Sequence, residues 1–244
     1  FAYFSKIGVL PTRNFQQGGF EGADKISADA MMAGALKERR GCYACPVQCK
    51  AVVSVSGKYN VDPRYGGPEY ETQAALGSMC AVDNLEALLK ANERCNANGL
   101  DTISTGVTIA FAMECFERGI LTEKDTSGLP LRFRNAEAML KLIEMIATRE
   151  GLGKVLAEGS ARAAQAIGKG AAEFALHVKG LEIPMHDPRW KPGLGLGYTV
   201  TAIGADHNDN VHDTSFDRKV TGFFNSLGAF APLPLTDLSP AKVR

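Results

Sequence analysis

The 244-residue sequence predicts an all-α, multihelical fold. Two observations carry that prediction. Apolar residues recur at i, i+3, i+4, i+7 in segment after segment, and these segments begin at Ser, Asp or Asn and several stop at Gly. A third observation limits it: a Gly- and Pro-rich stretch near 180–210 breaks the helical pattern. The expected division is a helical domain over 1–175 and the start of a second helical domain over 176–244.

In chain order, Ser27 caps a helix whose stripe is Ala28, Met31, Met32, Ala35 and Leu36, and which is expected to run to about Gly41. A second helix begins in "PEYETQAALGSMC". A third is "DNLEALLKANERCNANG", with Asp83 as cap, Glu86 three residues on, a stripe of Leu85, Leu88, Leu89 and Cys95, and Gly99 as the stop. "STGVTIAFAMECFERG" is apolar nearly all round, as a helix buried on every side must be. A fifth helix runs from Asn135 to Arg149, and a sixth lies within "GKVLAEGSARAAQAIG". Beyond residue 170, "ALHVKGLEIPMHDPRWKPGLGLGY" suits a short extended piece and then a loop. "GLGLGY" lacks the G-x-G-x-x-G spacing of a dinucleotide fingerprint and reads as a tight turn.

Composition narrows the function. Hydrophobic residues make up 45% and charged residues 22%, ordinary for a water-soluble domain. The 27 basic residues balance the 27 acidic ones, so nothing points to nucleic acid or an acidic membrane surface. No apolar run reaches the length of a membrane span. "FAYFSKIGVL" has neither a basic leader nor a starting Met, so the sequence reads as a piece of a longer chain rather than one opening on a signal peptide. Cysteine usage suits a reducing cytoplasm.

Three of the six cysteines crowd into "GCYACPVQCK": Cys42, Cys45 and Cys49, spaced C-x-x-C-x-x-x-C. Thiolates are soft ligands for zinc or iron–sulfur clusters. A local zinc site wants a second C-x-x-C pair or histidines, which are missing here, so a [4Fe–4S] cluster completed by a distant fourth cysteine fits better. Cys80, Cys95 and Cys115 lie in helical patterns and read as small core residues. In "GPEYET", Glu69 and Glu71 precede an apolar helix that can bury one of them and raise its pKa, a proton-handling arrangement; both also suit a helix first turn. His207 lies in the polar loop "GADHNDNVHD". Lys179 and Arg189 read as solvated cations, and Trp190 as pocket lining or core.

Seven stretches taken together resemble one family: "LPTRNFQQGGF", "GCYACPVQCK", "GPEYETQAALGSMC", "CNANGLDTISTG", "AFAMECFERGIL", "VKGLEIP" and "DPRWKPGLGLGYTVTAIGADH". In order and over nearly the whole length, they resemble the two helical domains of the tungsten-containing aldehyde ferredoxin oxidoreductases. The resemblance implies a preceding β-rich domain that cradles much of a pterin, and a fourth cluster cysteine beyond residue 244. It implies oxidation of an aldehyde to a carboxylic acid at a tungsten or molybdenum bis-pterin, with the cluster passing electrons to ferredoxin. Glu71 matches the family's active-site glutamate, with Glu69 as fallback, and His207 its active-site histidine. The pterin-contacting D-x-x-G-L-D motif reads "NANGLD" here, so Asn96, Leu100 and Asp101 are cofactor-binding candidates, with an amide in place of the first carboxylate. The expected partners are ferredoxin and a small aldehyde, with homodimer formation left open; the fragment alone is expected to be inactive. The alternatives are a zinc-stabilised helical interaction module and a family member acting on a substrate other than an aldehyde.

Overall fold

A computed structural model describes residues 1–216, 226 and 231–237. Packing is organised around a long helix that is apolar on nearly every face. Helix α1 (Ala2–Lys6) and helix α2 (Ala28–Gly34) are followed by strands β1 (Leu36–Arg40) and β2 (Lys50–Val53). Helix α3 (Tyr70–Gln73) continues directly into a π-helical segment, Ala74–Ser78, and then come α4 (Leu85–Asn98) and α5 (Thr102–Glu117). Helices α6 (Ala136–Thr148), α7 (Leu152–Leu156) and α8 (Ser160–Ile167) lead to β3 (His177–Val178), β4 (Leu181–Glu182) and α9 (Pro192–Val200).

Every residue of α5 from Thr105 to Cys115 is buried, as its all-round apolarity predicts. Its polar members are paired: Glu114 accepts from Asn14 Nδ2 at 2.7 Å and from Arg118 Nε at 2.8 Å. Gly106 lets α5 come against the π-helical segment, because a Cβ there would lie 2.5 Å from the carbonyl carbon of Ala75. The main core gathers Leu76, Met79, Phe111, Met113, Met139 and Ile143 from this segment, α5 and α6. Cys80, Cys95 and Cys115 are all fully buried within it, in agreement with their reading as core residues.

The element boundaries follow local hydrogen bonding. Ser27 caps α2, accepting from the Ala30 N–H at 3.2 Å. Helix α2 then stops at Gly34 instead of continuing towards Gly41, and Leu36–Arg40 is a strand, antiparallel to Lys50–Val53. The stripe read through Leu36 fails because Met32 is exposed and β2 offers β-branched Val52 and Val53, so cross-strand pairing overrides helix propensity. The cap of α4 is Asn84, accepting from the Ala87 N–H at 3.1 Å; Asp83, one residue earlier, instead pairs with Lys25 at 2.6 Å. Gly99, at φ 66°, ends α4 as expected. The segment read as holding a sixth helix holds two, α7 and α8, broken at Gly159.

The all-α expectation is therefore corrected to mostly helical with two small two-stranded sheets, β1–β2 and β3–β4. "GLGLGY" is helical rather than a tight turn. Pro192 fits the first turn of α9, and the Asp213 carboxylate accepts from the Gly193 N–H at 3.0 Å and the Leu194 N–H at 2.9 Å. Of the segment expected to form a second helical domain, residues 217–225, 227–230 and 238–244 lie outside the described residues.

Candidate active site and thiol loop

Glu71 sits in the first turn of α3, immediately before the π-helical segment. A π turn adds one residue to a helical repeat and re-aims the side chains beside it, and such turns collect at functional sites. The Glu71 Oε2 accepts from the Met185 N–H at 2.8 Å. Its Oε1 is buried with no aligned hydrogen-bond donor among the described residues. Yet that oxygen lies 3.0 Å from His186 Nε2 and 4.0 Å from His207 Nε2. Burial raises the carboxyl pKa above the usual range. Glu69, two residues earlier, is exposed and makes no capping hydrogen bond.

The residue that organises the pocket is His186, which sequence reasoning passed over. It is buried, stacks on the Tyr70 ring at 5.4 Å, and lies against the rings of His207 at 5.3 Å and His212 at 4.4 Å. The Tyr70 hydroxyl donates to the Met185 carbonyl at 2.8 Å, and the Tyr198 hydroxyl donates to the His186 carbonyl at 3.2 Å. On its far side His186 Nδ1 lies 2.7 Å from Lys191 Nζ. Burial pushes His186 down to about 3, His212 down to about 4 and Lys191 down to about 8. At neutral pH the lysine is thus an ammonium beside neutral imidazoles.

Those charge states favour one tautomer. An ammonium has only hydrogens to offer. His186 Nδ1 must therefore be the acceptor, and Nε2 carries the ring proton towards Glu71. Glu71, His186 and His207 each bring one ligand-type atom within 4.8 Å of the others, the donor set of a two-histidine, one-carboxylate metal centre. A metal-bound Nε2 needs a lone pair, with an acceptor at Nδ1 to take the ring hydrogen. Lys191 stands where that acceptor would be, an arrangement that suits hydrogen bonding and proton holding.

The three crowded cysteines occupy residues 41–49, the tip of the β1–β2 hairpin closed by the Arg40–Lys50 pair. Cys42 and Cys49 are exposed, Cys45 half-buried, and none is in a disulfide. Ala44 and Gln48, each just before a cysteine, have left-handed backbone at φ 56° and 48°. Such turns aim successive N–H groups into a concavity, as in many iron–sulfur sites. The Cys45 N–H donates to the Cys42 carbonyl at 3.0 Å, and Arg39 donates to the Cys49 carbonyl at 3.0 Å. Lys37, Arg40 and Lys50 add positive charge on the same strands. Three free soft donors on a short arc in a cationic frame fit an anionic iron–sulfur cluster. Cys80, Cys95 and Cys115 offer no fourth ligand to it. They are enclosed in the main core, and burial pushes the Cys95 and Cys115 thiols up to about 12.

The "NANGLD" residues have structural occupations. Asn96 donates to the Tyr65 carbonyl at 3.1 Å, and Leu100 packs half-buried against the main core. Asp101 caps α5, accepting from the Ile103 N–H at 3.2 Å and the Ser104 N–H at 3.0 Å. A hydrogen bond of 2.8 Å between the Thr72 and Thr102 hydroxyls ties the residue after Glu71 to the residue after Asp101, so the two motifs are adjacent. Arg189 is exposed, as read, while its guanidinium is held by Asp187 and donates to the Phe15 carbonyl at 2.8 Å. Trp190 is exposed rather than core.

A family profile described as aldehyde ferredoxin oxidoreductase, domains 2 and 3, matches residues 1–233. The tungsten-containing aldehyde ferredoxin oxidoreductase of Thermococcus kodakarensis is 44% identical over 207 residues, covering 83% of this chain and 33% of the relative. That of Pyrococcus furiosus is 42% identical over the same shares. The aliphatic sulfonate oxidoreductase, WOR-like subunit, of Pyrococcus furiosus is 31% identical over 81% of this chain and 32% of its own. Among solved structures, the active-site complex of benzoyl coenzyme A reductase with 1,5-dienoyl-CoA superposes with a TM-score of 0.63 at 26% identity, covering 79% of this chain and 30% of that one. The chain thus spans about a third of the length of the curated relatives it matches.

Proposed function

The chain belongs to the aldehyde ferredoxin oxidoreductase family, and from that premise we propose that the complete protein oxidises an aldehyde to a carboxylic acid. The balance is aldehyde plus water giving acid, two protons and two electrons. The observation that carries the reading is the meeting of Glu71 and His207, 136 positions apart in sequence and 4.0 Å apart in space, in one largely buried pocket.

The pterin-held tungsten or molybdenum, when bound, supplies the two-electron oxidation, and a [4Fe–4S] cluster passes the electrons singly to ferredoxin. Cys42, Cys45 and Cys49 would hold three corners of that cluster, with the fourth ligand outside this chain. Asn96, Leu100 and Asp101 would lie along the pterin. Glu71 acts as the base: burial lifts its pKa towards working pH, where a carboxylate accepts a proton most usefully. His207 donates a hydrogen bond to the substrate carbonyl, and the packed rings of Tyr70, His186 and His212 limit water. Glu69, being exposed, is left without a role. Residues 1–175 would be one helical domain and 176–244 the start of a second, with Glu71 from the first and His207 from the second meeting in this pocket.

Elemental analysis of the anaerobically purified full-length protein, with aldehyde-dependent reduction of ferredoxin, tests the proposal. About four irons per chain are expected with tungsten or molybdenum. Glu71→Gln should lower kcat/KM by about 10²–10⁴-fold with metal content unchanged. One zinc without iron, or a fully active Glu71→Gln protein, would refute it.

A further inference from the structure

Lys191 is only 4% exposed, rare for a lysine, and its ammonium lies 2.7 Å from His186 Nδ1. Resting on Glu71 as the reaction's base, we propose that Lys191 is a positioning residue which, through His186, holds an N–H towards Glu71 and keeps that carboxylate ionised in a pocket whose burial favours the neutral acid. The geometry is a chain of three. Lys191 Nζ donates to His186 Nδ1 across 2.7 Å, and His186 Nε2 lies 3.0 Å from Glu71 Oε1. The other carboxylate oxygen already takes the Met185 N–H, so Oε1 is the atom that needs a donor. The imidazole cannot swing away, because Tyr70 stacks on its face and His212 abuts it edge-on. The last link is the loose one, a 3.0 Å approach without hydrogen-bond alignment that a rotation about the Glu71 side chain would close.

The neighbouring groups do not replace this role. From α3 comes Tyr70, whose hydroxyl is committed to the Met185 carbonyl. From the segment before α9 come His186, Lys191 and Asp187, the last engaged with Arg189. From the loop after α9 come Asp206, His207, His212 and Asp213. The Asp213 carboxylate caps α9, His212 meets the His207 carbonyl, and His207 Nε2 stands 4.0 Å from Glu71. Asp206 Oδ1 accepts from the Asn208 N–H. Tyr198, on α9, donates to the His186 carbonyl. Burial opposes the Glu71 carboxylate, while the Met185 N–H, His207 and Lys191 favour it, so removing Lys191 shifts the balance towards the neutral acid.

The test reads Glu71 directly. In the full-length protein, infrared difference spectroscopy without substrate follows the protonated-carboxyl band that Glu71→Gln abolishes. Lys191→Met should raise the midpoint of that band by about one pH unit or more, and Lys191→Arg should restore it. The acid limb of the kcat/KM profile should move with it. His186→Phe keeps the stack on Tyr70 while removing the donor, and should raise the midpoint in the same way if Lys191→Met does not fold. Equal midpoints in parent, Lys191→Met and His186→Phe proteins, or no Glu71 band in any of them, would overturn the proposal. Because no substrate is present, the outcome holds whether or not the aldehyde reading survives.

Discussion

Gly106→Ala offers a test in which the sign alone decides. In the interior of an exposed helix, Gly to Ala gains about 1 kcal/mol from backbone entropy. Here the new Cβ would sit 2.5 Å, 2.6 Å and 2.7 Å from the carbonyl carbon, oxygen and Cβ of Ala75. Ordinary contact needs roughly 3.5 Å, so α5 and the π-helical segment must separate by several tenths of an ångström to about 1 Å. Two of the three obstructing atoms are backbone, which cannot rotate aside. Overpacking of this kind costs about 1–3 kcal/mol, and a backbone clash belongs at the upper end. After the propensity gain, the expected net loss is about 1–2 kcal/mol. Denaturant unfolding reads it as a lower midpoint with unchanged slope. Gly34→Ala is the control: it lies in α2 with nothing within 4 Å of the added atom, and should be neutral or slightly stabilising. A Gly106→Ala protein as stable as the Gly34→Ala protein would refute the reasoning that this glycine sets the spacing beneath Glu71.

Three further outcomes follow from the same geometry. Asp101→Ala should cost about 1 kcal/mol by uncapping α5, while Asp101→Asn should keep most of that; thermal unfolding without cofactor measures both, and equal losses would remove the cap assignment. Folded-state His186 and His212 titrate below the ordinary 6.5, so their stabilising contribution is complete above that pH and is lost as pH falls towards 4 and then 3, at up to about 1.4 kcal/mol per unit each. Glu71, raised by burial, works in the opposite sense, so the check is whether His186→Gln flattens the acid limb of stability by about one proton. Cys45→Ser should strip most of the iron from the full-length protein yet leave unfolding of the main core unchanged, as iron analysis beside far-ultraviolet melting would show.

What the sequence disclosed depended on how local the physics was. Helix α5 was legible because apolarity on every face has one outcome, and Gly99 and Asn135 because end signals act within a turn. The strand at Leu36–Arg40 was hidden, since its partner lies fourteen residues on and the stripe before it continued for one more helical step. Glu71 and His207 were found through motifs, but His186 was missed although it stands between "GLEIP" and "DPR". Its importance comes from Tyr70, Lys191 and Glu71 converging on it from two distant segments. Lys191 gave no local signal at all: only burial distinguishes it from a surface lysine.

The hairpin that carries the three thiols has a small core of its own, made of Met31, Ala35, Ala51, Val53, Val61 and Leu89 and distinct from the main one. The two clusters meet at Leu85, which packs against both. A hairpin seated on its own cluster would let the thiol tip move without disturbing the packing of α5, so its amide hydrogens should exchange faster than those of α5.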